Sequence, residues 1–387
     1  MFPDLLKYHQ WCISDPIAMS AYREAIRKTV RPDDVVVDLG AGTGILSYMA
    51  CEAGAGKVYA IEPGEIIALI PDIAADNGFV DQIVWKKASS FHADLPEKAD
   101  VMIASMLGSA GIGNNMLDVV IDARERLLKP GGAVIPRSVQ PVFCPVELAD
   151  WYEHRIDCWN VSRSGFEFRT ARSVAVNRVT IWNVTPANLL ASPQSFDVVD
   201  LPTLASPDIA ATLSFEIQRS GTIHAIAGWT EVKMVEGILC SSSPLDPNSM
   251  PWEQMVLPLE SATSLNPGDR VLAAVRTRSV GMETVLTWDV SIRDSKGSVR
   301  AEFHHSTFEG ALWMAEDLKR RAPAFVPNVS DWGRAELAVL QQIDGVRTLD
   351  QIAASVLECF PSILKNLRNA RAFVAEVVGR SCTSGQW

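Results

Sequence analysis

From about residue 20 to 140 the spacing of apolar positions changes back and forth between two periods. Short apolar runs at VVVDLG (35–40), KVYAIE (57–62), QIVWKKAS (82–89) and ADVMIAS (99–105) alternate with helix-period stretches at SAYREAIRKTV, ILSYMACEAG, IIALIPDIAADNG and NMLDVVIDARERLL. Strands separated by helical stretches of about 10 to 15 residues predict a parallel, doubly wound sheet. After KPGGAVIPRSV the texture becomes a series of β-type runs, PVFCPVEL, DVVDL, ATLSFEI, TIHAIAGWTEVKM, RVLAAVRTRS, VLTWDVSIRD and SVRAEFHH. These predict an antiparallel sandwich or barrel over roughly 141–310. A third texture starts near residue 335 with AELAVLQQI, a DGVR turn, TLDQIAASVLECF and LKNLRNARAFVAEVV. Thr348 followed by Gln351 ahead of an apolar stretch is a capping-box signature, so this part reads as a small helical module.

Composition narrows the function classes. The chain has 387 residues, 48% of them hydrophobic, and a formal charge of −11 from 35 basic and 46 acidic side chains. That length suits two or three domains with ordinary cores. With no run of Lys or Arg, the electrostatic footprint of a nucleic-acid binder is missing. The seven cysteines are scattered and odd in number, without a C-x-x-C pair, which argues against both a zinc site and a disulfide framework. The first residues lack the grammar of a signal peptide, and no apolar run approaches membrane-spanning length. The expected home is therefore the cytoplasm.

The stretch VVDLGAGTG carries the chemistry. Gly40, Gly42 and Gly44 fall on alternate residues at a strand-to-helix turn, where bare backbone can lie against a ligand. Asp38 precedes them at the strand end, a position where a carboxylate would repel a pyrophosphate but could accept a hydrogen bond from an ammonium. The next strand ends in Glu62, about 20 residues past the loop, where a carboxylate can bind both hydroxyls of a ribose. Together these residues favour S-adenosylmethionine over a dinucleotide, with no metal required. A sulfonium is a good, neutral leaving group, so a protein that uses it must mainly hold a nucleophile in line with its lone pair exposed.

Beyond this loop the chain resembles the protein arginine methyltransferases over most of residues 8–310. YHQWCISD, AYREAI and VVVDLGAGTGILSYMACEAGAGKVYAIEPGEII look like that family's N-terminal helices and cofactor loop. ADVMIASMLG and NNMLDVVIDARERLLKPGGAVIP are similar to its fourth strand, substrate loop and following helix, and GTIHAIAGWTEVKM and SMPWEQMVLPLE to paired strands of its barrel. The resemblance implies a Rossmann-like cofactor-binding domain with N-terminal helices over 1–140. It further implies a β-barrel substrate domain over 141–315, whose helical arm at about 169–193 makes a homodimer. It also places Ser90 and Phe91 near the adenine.

The departures bear on the acceptor. The family grips its substrate guanidinium with two glutamates, and the matching positions here hold Ser105 and Asn114. Losing two charge-assisted contacts of about 1.5 to 3 kcal/mol each costs on the order of 3 to 6 kcal/mol, a factor of roughly 10² to 10⁴. The family's arginine on the cofactor carboxylate matches Ala18, which leaves Arg23 or backbone donors to substitute. Its Thr-His-Trp loop appears as Met250, Pro251 and Trp252, which removes the imidazole expected to partner Asp15. Asp15 reads either as an acceptor-orienting group or as the cap of the next helix. His9 is a candidate base near neutral pH. Ser105 and Asn114 suit a neutral pocket, and Trp252 a pocket wall.

The C-terminal module, 330–387, reads either as a helical cap packed on the barrel or, by its resemblance to small winged-helix-like domains that bind leader sequences of ribosomally made peptides, as a leader-binding module, which implies a leader pairing with a strand edge and tethering the core peptide near the site. The leading expectation is thus an S-adenosylmethionine-dependent methyltransferase acting on an amide, imidazole, amine or hydroxyl of a peptide or protein, for instance a ribosomal natural-product precursor. A small-molecule methyltransferase and a catalytically silent cofactor-binding partner are the alternatives. No nucleic acid and no membrane are expected as partners.

Overall fold

A computed structural model of the chain describes residues 5–113, 115–281 and 283–382. Contacts divide the chain into two compact units, Met1–Leu312 and Trp313–Trp387.

The first unit opens with helices α1 (Leu5–Ile13) and α2 (Pro16–Thr29), followed by β1 (Val35–Leu39), α3 (Ile45–Glu52), β2 (Lys57–Glu62), α4 (Ile70–Asp76), β3 (Ile83–Lys87), β4 (Ala99–Ala104), α5 (Met116–Arg126) and β5 (Leu128–Ile135). The strands form one parallel sheet in the order β3-β2-β1-β4-β5. All five residues of β1 are buried, as a strand covered on both faces requires. The chain leaves β1 for β2 and β3 on one side and returns to β4 on the other. The carboxyl ends of β1 and β4 therefore flank a crevice, the place where open α/β sheets bind ligands. The sequence pattern missed β5, because Pro130, Gly131 and Gly132 interrupt its apolar run. Glycine is required at 132, where a Cβ would lie 2.7 Å from Leu128 Cγ and 2.9 Å from the Asp100 carbonyl.

The chain continues through β6 (Ser138–Val146), α6 (Ala149–Arg155), α7 (Arg169–Ala175), β7 (Thr180–Trp182), β8 (Gln194–Ser195), β9 (Val199–Asp200), β10 (Ala210–Glu216), β11 (Gly221–Val235), β12 (Ile238–Ser241), β13 (Gln254–Leu265), β14 (Arg270–Val280), β15 (Glu283–Arg293) and β16 (Val299–Ser306). One sheet runs β7-β13-β11-β6-β8, with β12 on β11 and β9 on β6; the other runs β10-β14-β15-β16. Ile226 and Leu257 of the first pack with Val275 and Trp288 of the second in one core, and the Trp288 indole donates to the Pro258 carbonyl at 2.8 Å. The expected barrel is thus a pair of facing antiparallel sheets with no ladder between them among the described residues. Beyond β6 the first sheet ends in β8 and β9, of two residues each.

The segment 169–193, expected as a projecting arm, supplies α7 and then β7, which pairs with β13, while Val176 and Val184 are buried in the unit's own core. Exposed apolar side chains lie within it at Ile181 and just before it at Val161, Phe166 and Phe168.

The second unit contains α8 (Ala315–Arg321), α9 (Asp331–Leu340), α10 (Leu349–Cys359), α11 (Pro361–Leu364) and α12 (Leu367–Ser381). Val339, Ile352, Val356, Ala370 and Val374 form its core. The capping box is present: Thr348 Oγ1 accepts from the Gln351 amide and Gln351 Oε1 from the Thr348 amide at 2.9 Å. No strand occurs among the described residues of this unit, so the strand-edge pairing expected for a leader peptide has no strand to pair with.

Candidate functional site

The glycine loop leaves β1 with Gly40, Gly42 and Gly44 at φ of +70°, +56° and +86°, conformations that only glycine adopts cheaply. Two amides of this turn, those of Gly40 and Ala41, donate to the Ile61 carbonyl and lock the loop against the end of β2. Glu62 is held next to it: Oε2 accepts from the Gly42 amide at 3.1 Å and Oε1 from the Gly64 amide at 2.7 Å. Asp38 is fully buried; Oδ2 accepts from Ser47 Oγ at 2.7 Å, whereas Oδ1 has no partner. Burial pushes the Asp38 carboxyl up to about 6, against the opposing pull of Ser47. A buried carboxylate oxygen without a donor, beside a glycine cradle and a second carboxylate with lone pairs to spare, fits a ligand that brings an ammonium and hydroxyls.

His9 of α1 lies over this loop, since a Cβ at Gly42 would come within 2.8 Å of its Cε1. Burial lowers its pKa, partly offset by Glu62, so the imidazole is neutral at pH 7. It covers the loop and is not among the residues that line the cavity described below. Ser90 and Phe91 form a short turn beyond β3, on the same carboxyl edge of the sheet as Glu62. Ser90 is buried, and its carbonyl accepts from Arg126 Nη2 at 2.7 Å. Phe91 is half-buried against the core.

Beside the loop a cavity of about 530 Å³ opens between the parallel sheet and the antiparallel sheets. Its walls come from the loop after β4 (Ser105, Met106, Gly108), from α1 and α2 (Tyr8, Cys12, Ala18, Met19), and from Trp252, Glu253, Thr284 and Thr307. The structure therefore brings Ser105 and Trp252 together at one cavity. Asn114 lies outside the described residues, but its neighbour Asn115 accepts from Thr284 Oγ1 at 2.7 Å and ties the loop to β15.

Asp15 does have a partner, contrary to the expectation from the missing imidazole. Oδ1 accepts from the Ile17 and Ala18 amides as the cap of α2, and Oδ2 accepts from the Trp252 indole at 2.9 Å. An indole has replaced the imidazole as donor, and both readings of Asp15 meet in one buried carboxylate. Trp252→Phe should leave Oδ2 unpaired at a cost of about 1–3 kcal/mol, read as a lower urea midpoint with an unchanged slope; the loss should vanish in an Asp15→Asn background if the pair is its source.

Arg23 does not substitute for an arginine at 18. It pairs with Glu52, which Arg27 also holds at 2.8 Å, on the outer face of α2. Ala18 is buried in the cavity wall. Sequence reasoning missed Ser47, Asn115 and Glu253. The first sits one turn into the helix after the loop, a signal that was available; the other two take their places from contacts distant in sequence.

Comparison with known proteins matches two family profiles, "Arginine methyltransferase oligomerization subdomain" over residues 142–293 and "Ribosomal protein L11 methyltransferase (PrmA)" over 21–137. The chain is 31% identical over 272 residues to protein arginine N-methyltransferase 6 of Danio rerio, spanning 66% of this chain and 77% of that one. It is 30% identical over 270 residues to protein arginine N-methyltransferase 1.1 of Arabidopsis thaliana, spanning 68% and 69%. Among solved structures, the Trypanosoma brucei PRMT1 enzyme-prozyme heterotetrameric complex with AdoHcy matches with a TM-score of 0.67 at 22% identity, over 77% of this chain and 98% of that one. Arabidopsis thaliana protein arginine methyltransferase 10 matches with a TM-score of 0.66 at 20% identity, over 78% and 98%.

Proposed function

The chain belongs to the protein arginine N-methyltransferase family and is an S-adenosylmethionine-dependent methyltransferase, and from that premise we propose that it methylates a site other than arginine on a peptide or protein. The cofactor supplies an electrophilic methyl on a sulfonium. In this reading Asp38 accepts from its ammonium, Glu62 from its ribose hydroxyls, and Ser90 and Phe91 border its base, while His9 closes the loop from above.

The observation that carries the acceptor reading is Ser105. It stands in the cavity wall as a neutral hydroxyl where the family resemblance expects the first guanidinium-gripping carboxylate. Asp15 does not stand in for that charge, because it is buried as the cap of α2 and does not line the cavity. A guanidinium is a permanently charged fork that calls for paired acceptors. The exposed Val161, Phe166 and Phe168 are the surface we assign to self-association as a homodimer, and the cytoplasm is the proposed compartment.

Labelled S-adenosylmethionine and a size-fractionated host lysate test the reading. Label should appear on peptide or protein, at residues other than arginine by mass spectrometry, and arginine-rich peptides should stay unlabelled. Ser105→Glu combined with Asn114→Glu should raise affinity for an arginine peptide by at least about tenfold, part of the roughly 10²- to 10⁴-fold that two charge-assisted contacts represent. Arginine methylation by the unaltered protein would overturn it.

A further inference from the structure

Glu253 lines the cavity beside Trp252. It stands between two pinned side chains. Trp252 donates its indole proton to Asp15 at 2.9 Å, and buried Gln254 accepts from the Val184 amide at 2.8 Å while donating to the Ser242 and Trp252 carbonyls at 3.0 and 2.8 Å. The backbone on both sides of Glu253 is thereby fixed, yet its own carboxylate makes no hydrogen bond or ion pair with the described residues and lines the cavity. Among the described lining residues there is no other Asp or Glu, and no Lys, Arg or His. The cavity thus holds one unneutralised negative charge, with Ser105, Ser109 and Thr284 as neutral hydroxyl acceptors and mostly apolar walls.

We propose, resting on the non-arginine reading above, that Glu253 is the acceptor-binding carboxylate and that the acceptor is a primary amine on an apolar stem, of the kind a lysine side chain presents. An ammonium is a compact point charge with three donors, which one carboxylate and neighbouring hydroxyls can satisfy, whereas a planar guanidinium fork requires paired charges. The ammonium gives one proton to Glu253, which exposes the nitrogen lone pair. A nitrogen–carbon bond then forms as the sulfonium's sulfur–carbon bond breaks, leaving a methylammonium and the neutral thioether, S-adenosylhomocysteine. Glu253 faces solvent and returns its proton to water.

The test uses three probes with the same stem, hexylamine, hexanol and hexylguanidine, titrated calorimetrically into the full chain saturated with S-adenosylhomocysteine. Hexylamine is expected to bind at least about tenfold tighter than hexanol, the size of one charge-assisted contact. Glu253→Gln should erase that preference while hexanol and the cofactor product bind as before, and Glu253→Asp should restore part of it. Equal affinity for amine and alcohol, including no measurable binding of either, or a preference that survives Glu253→Gln, overturns the assignment. Tightest binding of hexylguanidine overturns the non-arginine reading instead, so the two failures are told apart.

Discussion

Gly42→Arg is expected to abolish S-adenosylmethionine binding, with the dissociation constant raised by more than about 100-fold. Three effects act together. The native φ of +56° strains any residue with a Cβ, at roughly 1–2 kcal/mol. The new Cβ would sit 2.8 Å from His9 Cε1 and 2.9 Å from its Nδ1, so the His9 ring would have to swing off the loop. The remaining side chain would then fill the crevice, and its charge would be drawn to Glu62, the carboxylate proposed for the ribose. Calorimetry with the cofactor reads the loss, and circular dichroism confirms that the sheet is still folded. Undiminished affinity in a folded variant would place the cofactor elsewhere.

Asp38→Asn is expected to weaken cofactor binding by roughly 10- to 100-fold, the worth of a charge-assisted hydrogen bond of about 1.5–3 kcal/mol, and yet to stabilise the protein without cofactor. The sign follows from burial. The folded carboxyl titrates at about 6, well above its ordinary value of 3.8. Between those values the folded chain holds a proton that the unfolded chain has released, so this group's contribution to stability falls as pH rises and levels off above about 6. Asparagine removes the penalty, worth on the order of 3 kcal/mol at pH 7 as an upper bound. The variant should therefore gain its advantage above pH 6 and lose it near pH 4, measured as urea midpoints across that range. Cofactor affinity of the unaltered protein should weaken below about pH 6 as Asp38 protonates, and that dependence should be absent from the variant. Unchanged stability at pH 7 would mean that Ser47 and water already satisfy the charge.

What could be read in the sequence is what neighbours dictate. The alternation of VVVDLG, helix, KVYAIE and helix sets a parallel sheet, and alternate glycines after Asp38 set the loop, because backbone conformation there depends on the residues themselves. Thr348 and Gln351 announced their helix for the same reason. Local pattern failed where distant pairing decides. Strand β5 carries Pro130 and two glycines that read as a break, yet β4 recruits it into the sheet. Whether the two antiparallel sheets close on each other depends on pairing between strands far apart in sequence, and among the described residues they do not. The partner of Asp15 is 237 residues away, and an indole in that role could not be inferred from the loss of a histidine. Glu253 looked like any surface glutamate until the residues on either side of it proved to be anchored.

The double duty of Asp15 has a thermodynamic corollary. The helix it caps carries Ala18 and Met19 into the cavity wall and Tyr22 beneath Ser105, where the phenol donates to the Ala104 carbonyl at 3.2 Å. The segment before it is α1, which buries no side chain and carries His9 over Gly42. A molecule entering the cavity that shifts the Trp252 indole therefore also loosens the start of the helix from which the cover over the glycine loop is hung. By linkage the effect is reciprocal: whatever factor the acceptor imposes on cofactor affinity, the cofactor imposes on the acceptor. The strength of that coupling is bounded by the hydrogen bond that transmits it, about 1–3 kcal/mol, or roughly 5- to 150-fold. Asp15 thus joins the cavity wall at Trp252 to the start of the helix that stands ahead of the glycine loop.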